Sequence, residues 1–158
     1  MLVAGVVRLL AAGLMLPGGT PPNACALVTA EQLSAALGYP LIGGKISVYD
    51  NPQSTSASCS YSSATLSVIV MVDQQPSADA AKKQFAEEMK DSHSHDDANQ
   101  KTTAVSGVGD AAYSVAGPDV QLSAVRGARI VTIAAFGGAA KSVSPDRIRA
   151  LMVKALGS

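Results

Sequence analysis

Asp91 to Asp97 read DSHSHDD, the chain's densest cluster of groups able to do chemistry. His93 and His95, with Asp91, Asp96 and Asp97 around them, offer imidazole and carboxylate. These donors suit zinc, copper or nickel. A working metal site also needs a rigid frame and partners that orient each imidazole. The segment follows the expected end of a helix and is polar throughout, so its simpler reading is a solvated loop. Protonated imidazoles there would also be favoured by the negative end of the helix. The expectation is no resident cofactor, with a divalent transition metal at this loop as the alternative.

Cys25 and Cys59 are the only two cysteines, one in NACALVTAEQLSAALG and one in CSYSS. If the chain is exported they read as a disulfide. Three rivals stand beside that reading. A lipid anchor on Cys25 would want an aliphatic residue three positions earlier, where Pro22 stands. Zinc would want about four ligands at close spacing, and neither cysteine has a C-x-x-C partner. A catalytic thiol would need a histidine, and both histidines lie in one distant polar segment.

Other signals are weaker. GVGDAA, Gly107 to Ala112, matches G-x-G-x-x-A on paper. The dinucleotide fingerprint needs a strand before it and a helix after it. Here YSV follows, which is strand-like, so a glycine turn fits better. The serines of Ser54 to Ser63 supply hydroxyls but no G-x-S-x-G elbow. Glu31, Glu87 and Glu88 read as exposed helix residues rather than a glycosidase pair. Tyr61 and Tyr113 stand near strand starts and read as rim residues of a core. They are also the candidates to line a ligand groove, should the domain have one. No catalytic residue is assigned.

Composition narrows the classes further. Of 158 residues only 15% are charged, and twelve basic residues balance twelve acidic ones. A nucleic-acid binder usually carries a basic excess or stripe, so that class is excluded, and no charge run suggests an anionic membrane surface. With no Trp, two Phe and four Tyr, the core must be aliphatic. The start, MLVAGVVRLLAAGLMLPGGTPPNAC, holds an apolar run from Met1 to Leu16 that Pro17, Gly18 and Gly19 break. It is too short to span a bilayer comfortably and reads as a signal peptide. Residues 1–22 are therefore a leader, or an uncleaved membrane tether, and 23–158 form one domain.

The elements that must position these residues follow from capping and periodicity. Thr29 caps a helix to Leu37, with Gln32 at the capping-box position and Gly38 as the stop. Lys45 to Tyr49 reads as a strand, Asp50 to Ser58 as a polar turn, and Cys59 to Ser63 and Thr65 to Val72 as strands. Leu66, Val68, Val70 and Val72 share one face at period two. Ile69 and Met71 make the other face partly apolar, so helices are expected on both sides. Ser77 caps a helix from Ala78 to about Asp91, with Ala78, Ala81, Phe85 and Met89 as its stripe. Ser92 to Thr103 reads as a polar loop. Strands follow at Ala111 to Val115, Val120 to Val125 and Arg129 to Phe136, the last two joined by a tight turn at Gly127. Ser144, Pro145 and Asp146 start a final helix. The order specifies an α+β fold: an antiparallel sheet of about six to seven strands packed with three helices. Setting Tyr61 against Tyr113 and Leu66 against Leu122 gives a faint internal half-repeat.

This frame, from the first cysteine helix through CSYSS and VSGVGDAAYS to the closing helix, resembles a group of bacterial cell-envelope proteins. These are small exported domains and lipoproteins, best known from actinobacteria and of unknown function. The resemblance covers about Asn23 to Leu156. It implies an exported α+β domain with Cys25 joined to Cys59, and no catalytic residues to carry over. The expected function is a non-catalytic binding, sensing or interaction module of the periplasm, envelope or exterior. Its partner would be an envelope protein or a small ligand, and the domain is expected to be a monomer. A metal-binding envelope protein using His93 and His95 is the alternative, and a small hydrolase the third.

Overall fold

The computed structural model describes residues 22–50 and 54–157. The expected leader or tether falls, Pro22 apart, outside the described residues. Seven strands form one sheet in the order β1-β2-β3-β7-β6-β5-β4, every neighbour antiparallel. The strands are β1 (Ile42–Asp50), β2 (Thr55–Ser62), β3 (Ser67–Gln74), β4 (Lys101–Val105), β5 (Ala111–Ala116), β6 (Val120–Arg126) and β7 (Arg129–Phe136). Among the described residues four α-helices accompany them: α1 (Ala24–Leu27), α2 (Ala30–Leu37), α3 (Ala78–Ser94) and α4 (Pro145–Gly157). The α+β class, the antiparallel sheet and the strand number agree with the sequence reading.

Local chemistry explains where the elements begin and end. The Thr29 hydroxyl accepts from Gln32 N–H at 3.3 Å, and the Gln32 side chain accepts from Thr29 N–H at 3.1 Å. Two donors that the first helical turn leaves unpaired are thus satisfied. Gly38 then leaves the helix at φ 79°, a conformation that glycine adopts without a Cβ penalty. Alternation along β3 places Leu66, Val68, Val70 and Val72 in the core, each at most 1% exposed. The final helix buries Ile148, Leu151, Met152, Ala155 and Leu156.

Helices pack on both faces of the sheet, but α3 covers its face mainly over β4, β6 and β7, and Ile69 and Met71 stay half-buried outside the core that it forms. The larger core lies under α1, α2 and α4 and draws on Cys59, Val70, Leu122, Ile133 and Met152. A smaller one forms between α3 and the opposite face from Ala81, Phe85, Tyr113, Val125 and Ile130. The α2–β1–β2–β3 run is followed by a matching α3–β4–β5–β6 run, and β7 then inserts between β3 and β6.

Two local expectations are corrected. The turn expected over Asp50 to Ser58 already contains strand from Thr55. Its serines are outward-facing strand residues: Ala57, Cys59 and Tyr61 are buried while Ser58 and Ser60 are not. The loop expected over Ser92 to Thr103 contains the end of α3 and most of β4. Ser94 Oγ and His95 Nδ1 both donate to the Asp91 carbonyl, at 2.6 and 2.9 Å, and so hold one more turn of helix. A short helix, α1, precedes the Thr29-capped one, with the Asn23 side chain accepting from Cys25 N–H at 3.1 Å. The glycine turn expected at GVGDAA is present, and it links β4 to β5. Gly107 and Gly109 have φ 72° and 58°, and Asp110 N–H donates to Val125 O at 2.7 Å.

Candidate ligand-binding cavity

The sulfurs of Cys25 and Cys59 are joined, at 2.07 Å, with Cα atoms 5.0 Å apart. The bridge ties α1 to the middle of β2 and leaves no free cysteine among the described residues. The lipid, zinc and thiol readings therefore have no sulfur to use in this structure.

The expected metal residues do not converge. His93 Nδ1 stands 3.2 Å from Asp96 Oδ2, and this is the only imidazole–carboxylate contact in the segment. His95 turns its Nδ1 back to the Asp91 carbonyl. Asp97 accepts from the N–H groups of Asn99 and Gln100 and so shapes the turn. Asp96 accepts from Thr102 N–H at 2.8 Å. Hydrogen bonding from Thr102, ahead of His93, holds its carboxyl below the usual range. Among the described residues no group of three His, Cys, Asp or Glu side chains is placed to hold a metal ion.

Nor do Tyr61 and Tyr113 line one groove. Each is at most 3% exposed, and they sit on opposite faces of the sheet. Tyr61 reaches Val28 O with its hydroxyl. Tyr113 packs on Phe85, ring centres 5.2 Å apart at a 53° tilt. Their apolar bodies fill two separate cores, which is why neither ring is left for a ligand.

The cavity lies elsewhere. It is a half-open cleft of about 240 Å³ between the β4–β5–β6 wing and the first turns of α4. Leu122 and Ala104 give it apolar surface, while Ser106 and Ser114 add polar groups. Pro145, Asp146 and Arg149 form the helical wall. Ser144 starts that helix: its hydroxyl accepts from Asp146 N–H at 3.3 Å and its carbonyl from Arg147 N–H at 3.1 Å. Pro145 needs no acceptor of its own. Arg149 donates from one terminal nitrogen to Ser106 O at 2.8 Å, which pins the guanidinium at the rim and leaves its other donors available. Asp146 and Arg149, three residues apart, could pair along the helix, yet no ion pair joins them. The wall thus presents separate acidic and basic groups above a hydroxyl, Ser114, that is 8% exposed.

Such a cavity can bind a small polar molecule by charge and hydrogen bonding. It does not assemble a nucleophile with a base, because both histidines belong to the α3 end of the molecule and both cysteines are bridged. Sequence reading missed it. Asp146 was legible only as a helix-start residue, and Arg149 sits between apolar positions as an ordinary exposed cation. The only available signal was the oppositely charged i, i+3 pair on the first turns of α4.

No family model and no curated protein matches the chain. A solved structure does. The fold is similar to that of the extracellular domain of PknH from Mycobacterium tuberculosis, with a TM-score of 0.61 at 13% identity. The match covers 89% of this chain and 97% of that one. At that identity the likeness is one of architecture, and it extends over the whole domain rather than one motif.

Proposed function

We propose that this chain is an exported domain that binds a small polar ligand at the α4 cavity without transforming it. The observation that carries the binding reading is the wall itself: Arg149 and Asp146, unpaired with each other, share a lining with Ser114 and Leu122. The lining is mixed, and a few convergent polar groups are what orient a bound molecule. Export is supported by the Cys25–Cys59 bridge, since such bridges persist in oxidising compartments. It is also supported by the fold it shares with an extracellular domain. The non-catalytic reading is supported by the bridged cysteines and by the place of both histidines at the α3 end, away from the cavity.

The charges suggest a ligand with both an acceptor for Arg149 and a donor for Asp146, such as a free amino acid or other small zwitterion. Two-dimensional NMR of the labelled, disulfide-bonded protein against a panel of zwitterions, carboxylates, amines and sugars tests this. The expected result is a binder whose shifts centre on Ser106, Ser114 and Arg149 and vanish in Arg149→Ala. Shifts centred elsewhere, or no binder in the panel, would count against the cavity.

A further inference from the structure

Among the described residues five large hydrophobic side chains are exposed, and four belong to one strand. They are Ile42 at 73%, Ile46 at 44%, Val48 at 45% and Tyr49 at 65%, all on β1. β1 is also an edge of the sheet, so among the described residues one side of its backbone has no strand to pair with. Edge strands are normally kept short, charged, bulged or covered, because an open row of donors and acceptors recruits another strand. The opposite edge follows that rule. β4 has five residues, opens with Lys101 and carries no exposed large hydrophobic side chain. β1 has nine residues, no proline and a single cation, and its one irregularity lies at the start, between Gly43 and Lys45.

We infer that β1 pairs antiparallel with β1 of a second copy, joining two sheets across a two-fold axis at Ser47. The strand is self-complementary in that register. Ile46 of one copy falls opposite Val48 of the other, and Lys45 opposite Tyr49. Ile46 and Val48 stand beside Cys59 and Ala57 of β2, on the face of the larger core. Four aliphatic side chains, two from each copy, would therefore extend that core across the junction. On the other face the Lys45 stem and ammonium lie against a Tyr49 ring, a favourable pairing. The charges also choose the direction. Lys45 near one end and Asp50 at the other are matched by antiparallel pairing, which brings each end to the opposite sign. Parallel pairing would set like charges side by side. Because only one edge is adhesive, the contact is isologous and closes at two copies instead of growing into a filament. This assembly is independent of the α4 cavity and differs from the monomer expected from sequence.

Sedimentation velocity of the natively processed protein, from about 5 to about 500 μM, tests the inference, since a contact of this size belongs to the weak class. A concentration-dependent shift from one copy to two is expected. Ile46→Lys with Val48→Lys, at positions already half exposed, should raise the dimer dissociation constant at least about tenfold, with the melting temperature of the monomer kept. Ser47→Cys should form a covalent dimer on mild oxidation, because residues facing across such a pair have Cα atoms about 4.5–5.5 Å apart. A single-copy species throughout the range would overturn the proposal. So would a dimer unaffected by the lysines, or one whose Ser47→Cys form never cross-links.

Discussion

The hydroxyl of Tyr61 donates to the main-chain carbonyl of Val28, across 33 residues of sequence, inside the larger core. Val28 lies between α1 and α2, so this bond fixes the helical approach to β2 near the point where the disulfide also holds it. Replacing Tyr61 by Phe leaves a buried carbonyl without its donor. The expected cost is about 1–2 kcal/mol in urea unfolding, with the slope unchanged. Burial also pushes the Tyr61 phenol above its ordinary value. The folded state then keeps that proton longer than the unfolded chain. Stability from this group is complete below about pH 10 and is lost as pH rises through the raised value. The alkaline loss should be shallower in Tyr61→Phe. Equal midpoints for the two proteins at neutral pH would show the bond to be energetically idle.

Much of this architecture was legible because local rules and the global fold agree. Thr29, Gln32 and Gly38 mark a helix by capping alone. Leu66, Val68, Val70 and Val72 mark a buried strand by period. The polar strand half before Cys59 was not legible, since its outward serines look like a turn until Ala57 and Cys59 are seen to face inward. β4 was hidden for a related reason: KTTAV has little hydrophobic signal, and its pairing with β5 makes the strand. The internal echo set Tyr61 against Tyr113, and the structure puts each on the second strand of its helix–strand run. They occupy opposite faces because α2 and α3 pack on opposite sides. The cavity was illegible in principle, as its wall comes from elements about 40 residues apart in sequence whose meeting depends on sheet order.

Removing the disulfide gives a second prediction. Cys25 and Cys59 close a 34-residue separation. The loop-entropy account assigns such a bridge about 3–4 kcal/mol. The double variant Cys25→Ala, Cys59→Ala should lose most of that in denaturant unfolding. It should also release α1 first, because α1 is only four residues long and could not persist alone. Hydrogen exchange at Ala24 to Val28 would report it. A loss under about 1 kcal/mol, with those amides still protected, would contradict the expectation.

The β4–β5 turn supplies a third. Gly109 has φ 58°, and a Cβ added there would run into the backbone carbonyl of Val125 as well as crowding Leu156. That carbonyl cannot move aside, because it accepts the Asp110 N–H. Gly109→Ala therefore combines left-handed strain with a backbone clash, and should destabilise by about 2 kcal/mol or more. Gly127 provides the control. It has φ 57°, but an added Cβ would meet nothing within 4 Å. Gly127→Ala should carry the conformational strain alone, about 1 kcal/mol. Thermal melts of the two variants check the ordering, and equal losses would mean the Val125 contact relaxes.

The last prediction concerns Glu88 on the α3 face. Gln84 Nε2 donates to Glu88 Oε1 at 2.7 Å, and the side chain lies partly buried on the flank of α3. Burial foremost pushes its carboxyl above the usual range. Asp73 adds repulsion, and the Gln84 bond opposes both. The folded protein thus holds this proton more tightly than the unfolded chain does. Its contribution favours folding most below the ordinary glutamate range and weakens as pH rises through the raised value. Glu88→Gln keeps the shape and the acceptor for Gln84 but removes the charge. The variant should be more stable than the parent at about pH 7, and the gap should close towards about pH 3, where both states of the parent are protonated. Urea midpoints at the two pH values measure the gap. A variant weaker than the parent at neutral pH, or a gap that does not change with pH, would mean the carboxylate is held by partners stronger than its desolvation.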